Sequence, residues 1–214
     1  MEDSTSREKV LKKIRNALIS KTAAPFPDID TDKSVYNDLD DSLEINFAQE
    51  FNETGGMFIY CENKAELLDN LKYLTDQKKW DTLLAFDAGL TELLDKGEIS
   101  YVSNREKIKS AEAGITYCEF LVARLGSIMV SSSQLSGRRM FVSPDVHIVI
   151  AYTSQLVSDL AEAFNKMRNK YESNVPSLIT LITGPSRTAD IEKTLVMGAH
   201  GPRELYLFLV EDQI

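Results

Sequence analysis

The sequence is poor in the residues that hold metal clusters or cross-link small scaffolds. Its 214 residues include two cysteines, Cys61 and Cys118, far apart and in no Cys-x-x-Cys or Cys/His group. An iron–sulfur cluster or structural zinc therefore has no ligands, and no such cluster is expected in this chain. Both cysteines lie in apolar, strand-like segments and read as small buried hydrophobes. Histidine is scarce too, with only His147 and His200. Ten glycines and six prolines exclude collagen-like repeats and low-complexity tracts. No apolar run approaches the roughly 18 residues a bilayer span needs. The start, Met1-Glu2-Asp3-Ser4, has no basic stretch leading into an apolar one, so a secretory signal is not expected and the expected location is cytoplasmic. The P-loop pattern, the dinucleotide GxGxxG and the GxSxG elbow are all absent, which counts against common NTPases, dehydrogenases of the dinucleotide fold and α/β-hydrolases.

What is present is an ordinary globular composition, 43% apolar and 27% charged, with a net charge of −9. The charge is uneven: residues 25–50 carry eight acids against the single base Lys33. Such a stretch reads as a solvated linker, with its aromatic and aliphatic residues able to drape over a core. A chain this acidic is a poor nucleic-acid partner, because that affinity depends on neutralising phosphates. Three regions follow: an N-terminal helix over 1–24, an acidic linker over 25–50 and an α/β domain over 51–214.

The first helix opens on a capping box, Thr5-x-x-Glu8, and carries Val10, Leu11, Ile14 and Leu18 on one stripe opposite a basic face. Its short apolar face favours packing on a neighbouring domain or subunit over a membrane surface. From Met57 strands and helices alternate: strands over 57–61 and 82–86, a helix after the box Asn63-x-x-Glu66, and a short helix near 91–95. That rhythm predicts a parallel sheet covered on both faces. Apolar runs at 115–123 and 127–132 flank Arg124-Leu125-Gly126 and predict a hairpin, so the sheet should be mixed. Strands are expected at 146–152, 177–183 and 204–210, with helices from about Ser154 and from the loop after Thr183 through Leu195.

Four places have residue types suited to chemistry. The sharpest is Gly184-Pro185-Ser186-Arg187-Thr188-Ala189-Asp190 after a strand. Gly184 lets backbone approach a ligand, Ser186 or Thr188 caps the expected helix, and Arg187 offers a planar cationic fork. A helix start there would make an anion pocket; the plainer reading is a capped turn with Asp190 favouring the dipole. Gly198, His200 and Gly201 form a second loop, in which His200 is an acid/base candidate with Asp190, and a helix-stop turn is the alternative. Arg138, in a Ser/Gly loop, suits a carboxylate or phosphate but also an ordinary surface. His147 lies near the start of a buried strand, and the plainer reading is a satisfied core histidine. Gly126 and Ser127 form a turn, weak as a signal by itself.

Together these segments resemble the LUD domain, and within it the lactate utilization protein C family. The resemblance rests on the 184–192 motif, on Gly198-Ala199-His200-Gly201-Pro202-Arg203-Glu204-Leu205 and on Pro144-Asp145-Val146-His147-Ile148, with Arg138 and Gly126 in order. It covers about 114–210. It implies a fold similar to the glucosamine-6-phosphate isomerase, ribose-5-phosphate isomerase and CoA-transferase group. It also implies a non-redox role in oxidising L-lactate to pyruvate beside iron–sulfur partner proteins; the residue types of the 184–190 loop add the expectation of an anionic metabolite or nucleotide bound there. A stand-alone phosphosugar isomerase or CoA-transferase-like enzyme, and a regulatory or assembly module, are the alternatives. Two positions depart from the family pattern: Arg124 and Leu125 replace an acid and a threonine, and Asp145 replaces a proline. A guanidinium at 124 cannot serve as the nucleophile of a covalent CoA transfer.

Overall fold

The computed structural model describes residues 5–19, 36–189, 195–198 and 200–212. Two units are present, one over residues 1–38 and one over residues 39–214. The first contains α1 (Ser6–Ile19). Its capping box forms as read: the Thr5 N–H donates to the Glu8 carboxylate at 2.9 Å, and the Glu8 N–H donates to Thr5 Oγ1 at 3.4 Å. Val10, Leu11, Ile14 and Leu18 are all exposed.

In the second unit the acidic stretch does not remain a linker to residue 50. Residues 43–53 form α2 (Leu43–Glu53), capped by Ser42, with Phe47 and Phe51 completely buried and stacked at 5.4 Å. The acids on the outer face of this helix disguise two aromatic anchors one turn apart. The chain then runs through β1 (Met57–Cys61), α3 (Lys64–Lys78), β2 (Leu83–Leu84), α4 (Ala88–Lys96) and β3 (Ala113–Tyr117). At α3 the Asn63 side chain caps the N–H groups of Ala65 and Glu66. The Glu66 carboxylate reaches the N–H of Glu62 rather than that of Asn63, so the expected box is only half formed.

The expected single strand over 115–123 is two strands in two sheets. The break falls at Cys118-Glu119, after which β4 (Phe120–Val122) pairs antiparallel with β5 (Ser127–Ser131). The predicted hairpin therefore exists, but outside the parallel sheet. β6 (Val146–Tyr152) matches its expected bounds. The following helix starts later than its apolar pattern suggests: Leu156 and Val157 form β7 (Leu156–Val157), and α5 spans Leu160–Tyr171. β8 (Ile179–Ile182) follows. The helix expected from the Gly184 loop through Leu195 is replaced by a hairpin stem, β9 (Arg187–Ala189) against β10 (Leu195–Met197). Last comes β11 (Glu204–Val210).

Five strands form a fully parallel sheet in the order β1-β11-β6-β3-β2, and four form a second sheet in the order β7-β4-β5-β8. One face of the parallel sheet packs on α3 and α4 through Leu67, Leu71, Leu90, Ile115, Ile148 and Phe208. The other packs on α2 and the second sheet through Phe47, Phe51, Ile128, Val149 and Leu207. Outside the second sheet lies α5, anchored by Ala163 and Met167. The central strands are apolar on both faces because both faces are covered. Cys61 and Cys118 are buried free thiols, as their apolar neighbours imply. Among the described residues no helix is long and apolar enough to cross a membrane.

Candidate functional site

Because the strands of the first sheet are parallel, the chain entering β1, β6 and β11 does so at one edge, the amino edge. The loop after β8 is fastened there. The Ser186 N–H donates to the Pro202 carbonyl at 2.8 Å, and the Gly198 N–H donates to the Ser186 carbonyl at 2.9 Å. Gly201 lies against Ser186, close enough that a Cβ there would stand 3.2 Å from the serine Cβ. Gly184, at φ +75°, has no room for a side chain: a Cβ there would collide with the Thr54 carbonyl oxygen. A Cβ at Gly55 or Gly184 would lie 3.3 or 3.1 Å from Arg187 Nη2, so this guanidinium rests over two bare backbone turns. The arrangement supplies an exposed cationic fork over two glycines, with Ser186 seated against Gly201.

The anion pocket expected at a helix N-terminus is thus corrected. Arg187 and Thr188 lie in a strand paired with Met197 and Val196, so no macrodipole or row of free helical N–H groups is available from them. Thr188, which imitates a helix start in sequence, lies in a hairpin stem, and Ser186 immediately precedes it. Asp190 lies outside the described residues. His200 is exposed in the loop before β11.

Other sequence candidates are placed elsewhere or serve packing. Gly126 adopts φ +54° and touches the backbone of α2 at Glu50 and Phe51. Ser127 is 1% exposed, and its hydroxyl lies 2.7 Å from that of Thr183, tying the end of β8 to the start of β5. Arg138 donates from Nη2 to Ser177 Oγ at 2.5 Å. Ser177 precedes β8 and Gly184 follows it, so Arg138 and the glycine loop mark opposite ends of that strand. His147 is fully buried, with Nε2 at 2.8 Å from Thr116 Oγ1 and Nδ1 without a hydrogen-bond partner among the described residues. Burial alone pushes its pKa down to about 4, which keeps the ring neutral. It is a core histidine.

Two features were missed. Glu119 is 2% exposed and accepts hydrogen bonds from Ser131 Oγ at 2.5 Å, Tyr171 Oη at 2.7 Å and Lys170 Nζ at 2.7 Å. Its signal in the sequence is an acid inside an apolar run, which the chain tolerates only where the strand leaves one sheet for another. Tyr117 and Tyr152 end β3 and β6 with rings 6.4 Å apart. Burial, with Tyr152 and Asp87 nearby, holds the Tyr117 phenol above its ordinary pKa.

A parallel sheet covered by helices on one face and a second sheet on the other, with its glycine loops gathered at the amino edge, defines a layered α/β protein. The chain belongs to the LUD domain family, whose model matches residues 45–210. It is similar to Lactate utilization protein C of Shouchella clausii, at 33% identity over 141 residues, covering 63% of this chain and 62% of that protein. Its similarity to Lactate utilization protein C of Bacillus subtilis is 38% over 121 residues, covering 56% and 49%. The chain therefore spans less than two thirds of the length of these curated relatives. The crystal structure of a DUF162 family protein from Deinococcus radiodurans shares the fold, with a TM-score of 0.60 at 19% identity over 78% of this chain and 96% of that one.

Proposed function

We propose that this chain acts in lactate utilization as a component without a redox centre of its own, binding a small anionic metabolite at the amino-edge loops around Gly184, Ser186 and Arg187. The observation that carries the binding reading is the Arg187 guanidinium held over Gly55 and Gly184 in a chain of net charge −9. A cation placed against bare backbone is suited to a carboxylate or phosphate. The physiological role is supported by the family and by the name its relatives carry. The reading gives electron transfer to iron–sulfur partner proteins, as the family resemblance implies; the two cysteines here lie singly in different core clusters.

Isothermal titration of the wild type and Arg187→Ala with lactate, pyruvate and phosphate tests the site. One of these anions is expected to bind the wild type and to weaken about tenfold or more in the variant, the loss of one charge-assisted contact of about 1.4 kcal/mol. Equal binding by both proteins would remove Arg187 from the site. Anaerobic affinity capture from cells grown on lactate tests the partner reading, and recovery of no iron–sulfur protein would count against it.

A further inference from the structure

The carboxyl edge of the parallel sheet, opposite the loops just described, carries a second site. In open α/β sheets a crevice forms outside the carboxyl ends of the strands where neighbouring strands send their connections to opposite faces. Here β2 continues into α4 on the helical face, whereas its neighbour β3 continues into β4 on the other. β6 likewise leaves toward the second sheet through β7. The helical side of the β3 and β6 ends is therefore roofed only by α3 and α4. A crevice of about 420 Å³ opens there, lined by Tyr117 and Tyr152 at one wall and by Leu68, Leu93, Lys64 and Lys96 on the two helices.

The lining has a definite chemical character. The tyrosine rings stand 6.4 Å apart at 33° and form a broad aromatic wall. Leu68 and Leu93 extend the apolar surface between the helices. Gly89 leaves room beside the wall: a Cβ there would lie 3.2 Å from the Tyr117 hydroxyl. The polar rim has both signs. Lys96 is held by Glu92 at 2.7 Å, and Lys64 opens α3. A simple anion would use the lysines and ignore the aromatic wall. A purely apolar ligand would leave three charged groups, Lys64, Glu92 and Lys96, at its border.

We infer that this crevice binds a mononucleotide, its base stacked on Tyr117 and Tyr152, its phosphate met by Lys64 and Lys96, and its ribose or amino donors met by Glu92. Stacking on tyrosine tolerates any base, so the wall sets the class of ligand and not its identity. The volume lies within the range of small-ligand sites, roughly 300–1,000 Å³.

Titration of the full chain with adenosine 5′-monophosphate, adenosine and inorganic phosphate separately tests this. The monophosphate is expected to bind, and Tyr152→Leu is expected to weaken it about tenfold, within the span measured for loss of one base–aromatic stack. Lys64→Glu, on an exposed first helical turn, should weaken the monophosphate several-fold and leave adenosine unchanged. No binding of the monophosphate at millimolar concentration, or both variants binding like wild type, overturns the inference. Unchanged binding in these variants with loss in Arg187→Ala would assign the nucleotide to the amino edge instead. The two sites are thus separable, since Arg187→Ala should leave the crevice untouched.

Discussion

Gly126→Ala is expected to lower the stability of the α/β unit by about 3 kcal/mol or more, read as the midpoint of urea unfolding followed by Trp80 fluorescence. Two independent effects add. At φ +54° any side chain places its Cβ against the following carbonyl, a cost of about 1–2 kcal/mol. That Cβ would also enter the backbone of α2 at Glu50 and Phe51, and helix backbone cannot step aside as the end of a side chain can. Because α2 is anchored by Phe47 and Phe51, any retreat opens a gap beneath two buried rings. Gly97→Ala is the control. Gly97 has an ordinary φ of −84°, and its Cβ would meet the tips of Leu68 and Ile99, which can rotate away. If Gly97→Ala proves as costly as Gly126→Ala, the contact with α2 is not what fixes residue 126.

Acidification should destabilise the protein between about pH 6.5 and pH 4, and His147→Gln should remove part of that loss. The unfolded histidine titrates near 6.5, while burial holds the folded one down to about 4. Above pH 6.5 both states are neutral and the residue contributes no pH dependence. As the pH falls below 6.5 the unfolded chain takes up a proton that the folded core refuses. Stability therefore declines until the folded ring also titrates, by roughly 3 kcal/mol over the interval. Glutamine keeps a hydrogen-bonding partner for Thr116 Oγ1 and does not titrate. Urea unfolding of both proteins at pH 7 and pH 4.5 checks this: the difference between them should narrow or reverse at the lower pH. Parallel pH profiles would show that His147 is protonated, or reached by solvent, in the folded state.

Elements whose residues are apolar on every face were legible. β6 and β11 have the bounds that the apolar runs suggest, because a central parallel strand must satisfy two covered faces at once. Where a short polar sequence serves either of two local structures, the pattern failed. Ser186, Thr188 and their neighbours satisfy the chemistry of a helix start and of a hairpin equally, and the choice is made by the bonds of Ser186 to Pro202 and Gly198, partners remote or only loosely implied in sequence. α2 was hidden for a related reason: its charge is on one side and its two phenylalanines on the other, and composition averages over both. Of the candidate site, Gly184, Ser186, Arg187 and Gly201 were each legible in separate motifs, and the structure brings them together. The separation of Arg138 was not, since nothing local shows that the strand between Ser177 and Gly184 divides them.

The position of β11 bears on how the chain comes together during synthesis. Although it follows every other strand in sequence, it lies inside the sheet, between β1 and β6. A nascent chain lacking residues 204–210 has two facing strand edges with no ladder between them, and the amino-edge loops have no Pro202 carbonyl in place to fasten Ser186. Closure of the sheet therefore waits for contacts that span most of the sequence, which makes folding slow for a domain of this size. Until then, the apolar edges of β1 and β6 are available to any other extended chain, so the interval before β11 docks is when this unit is most exposed to misassociation.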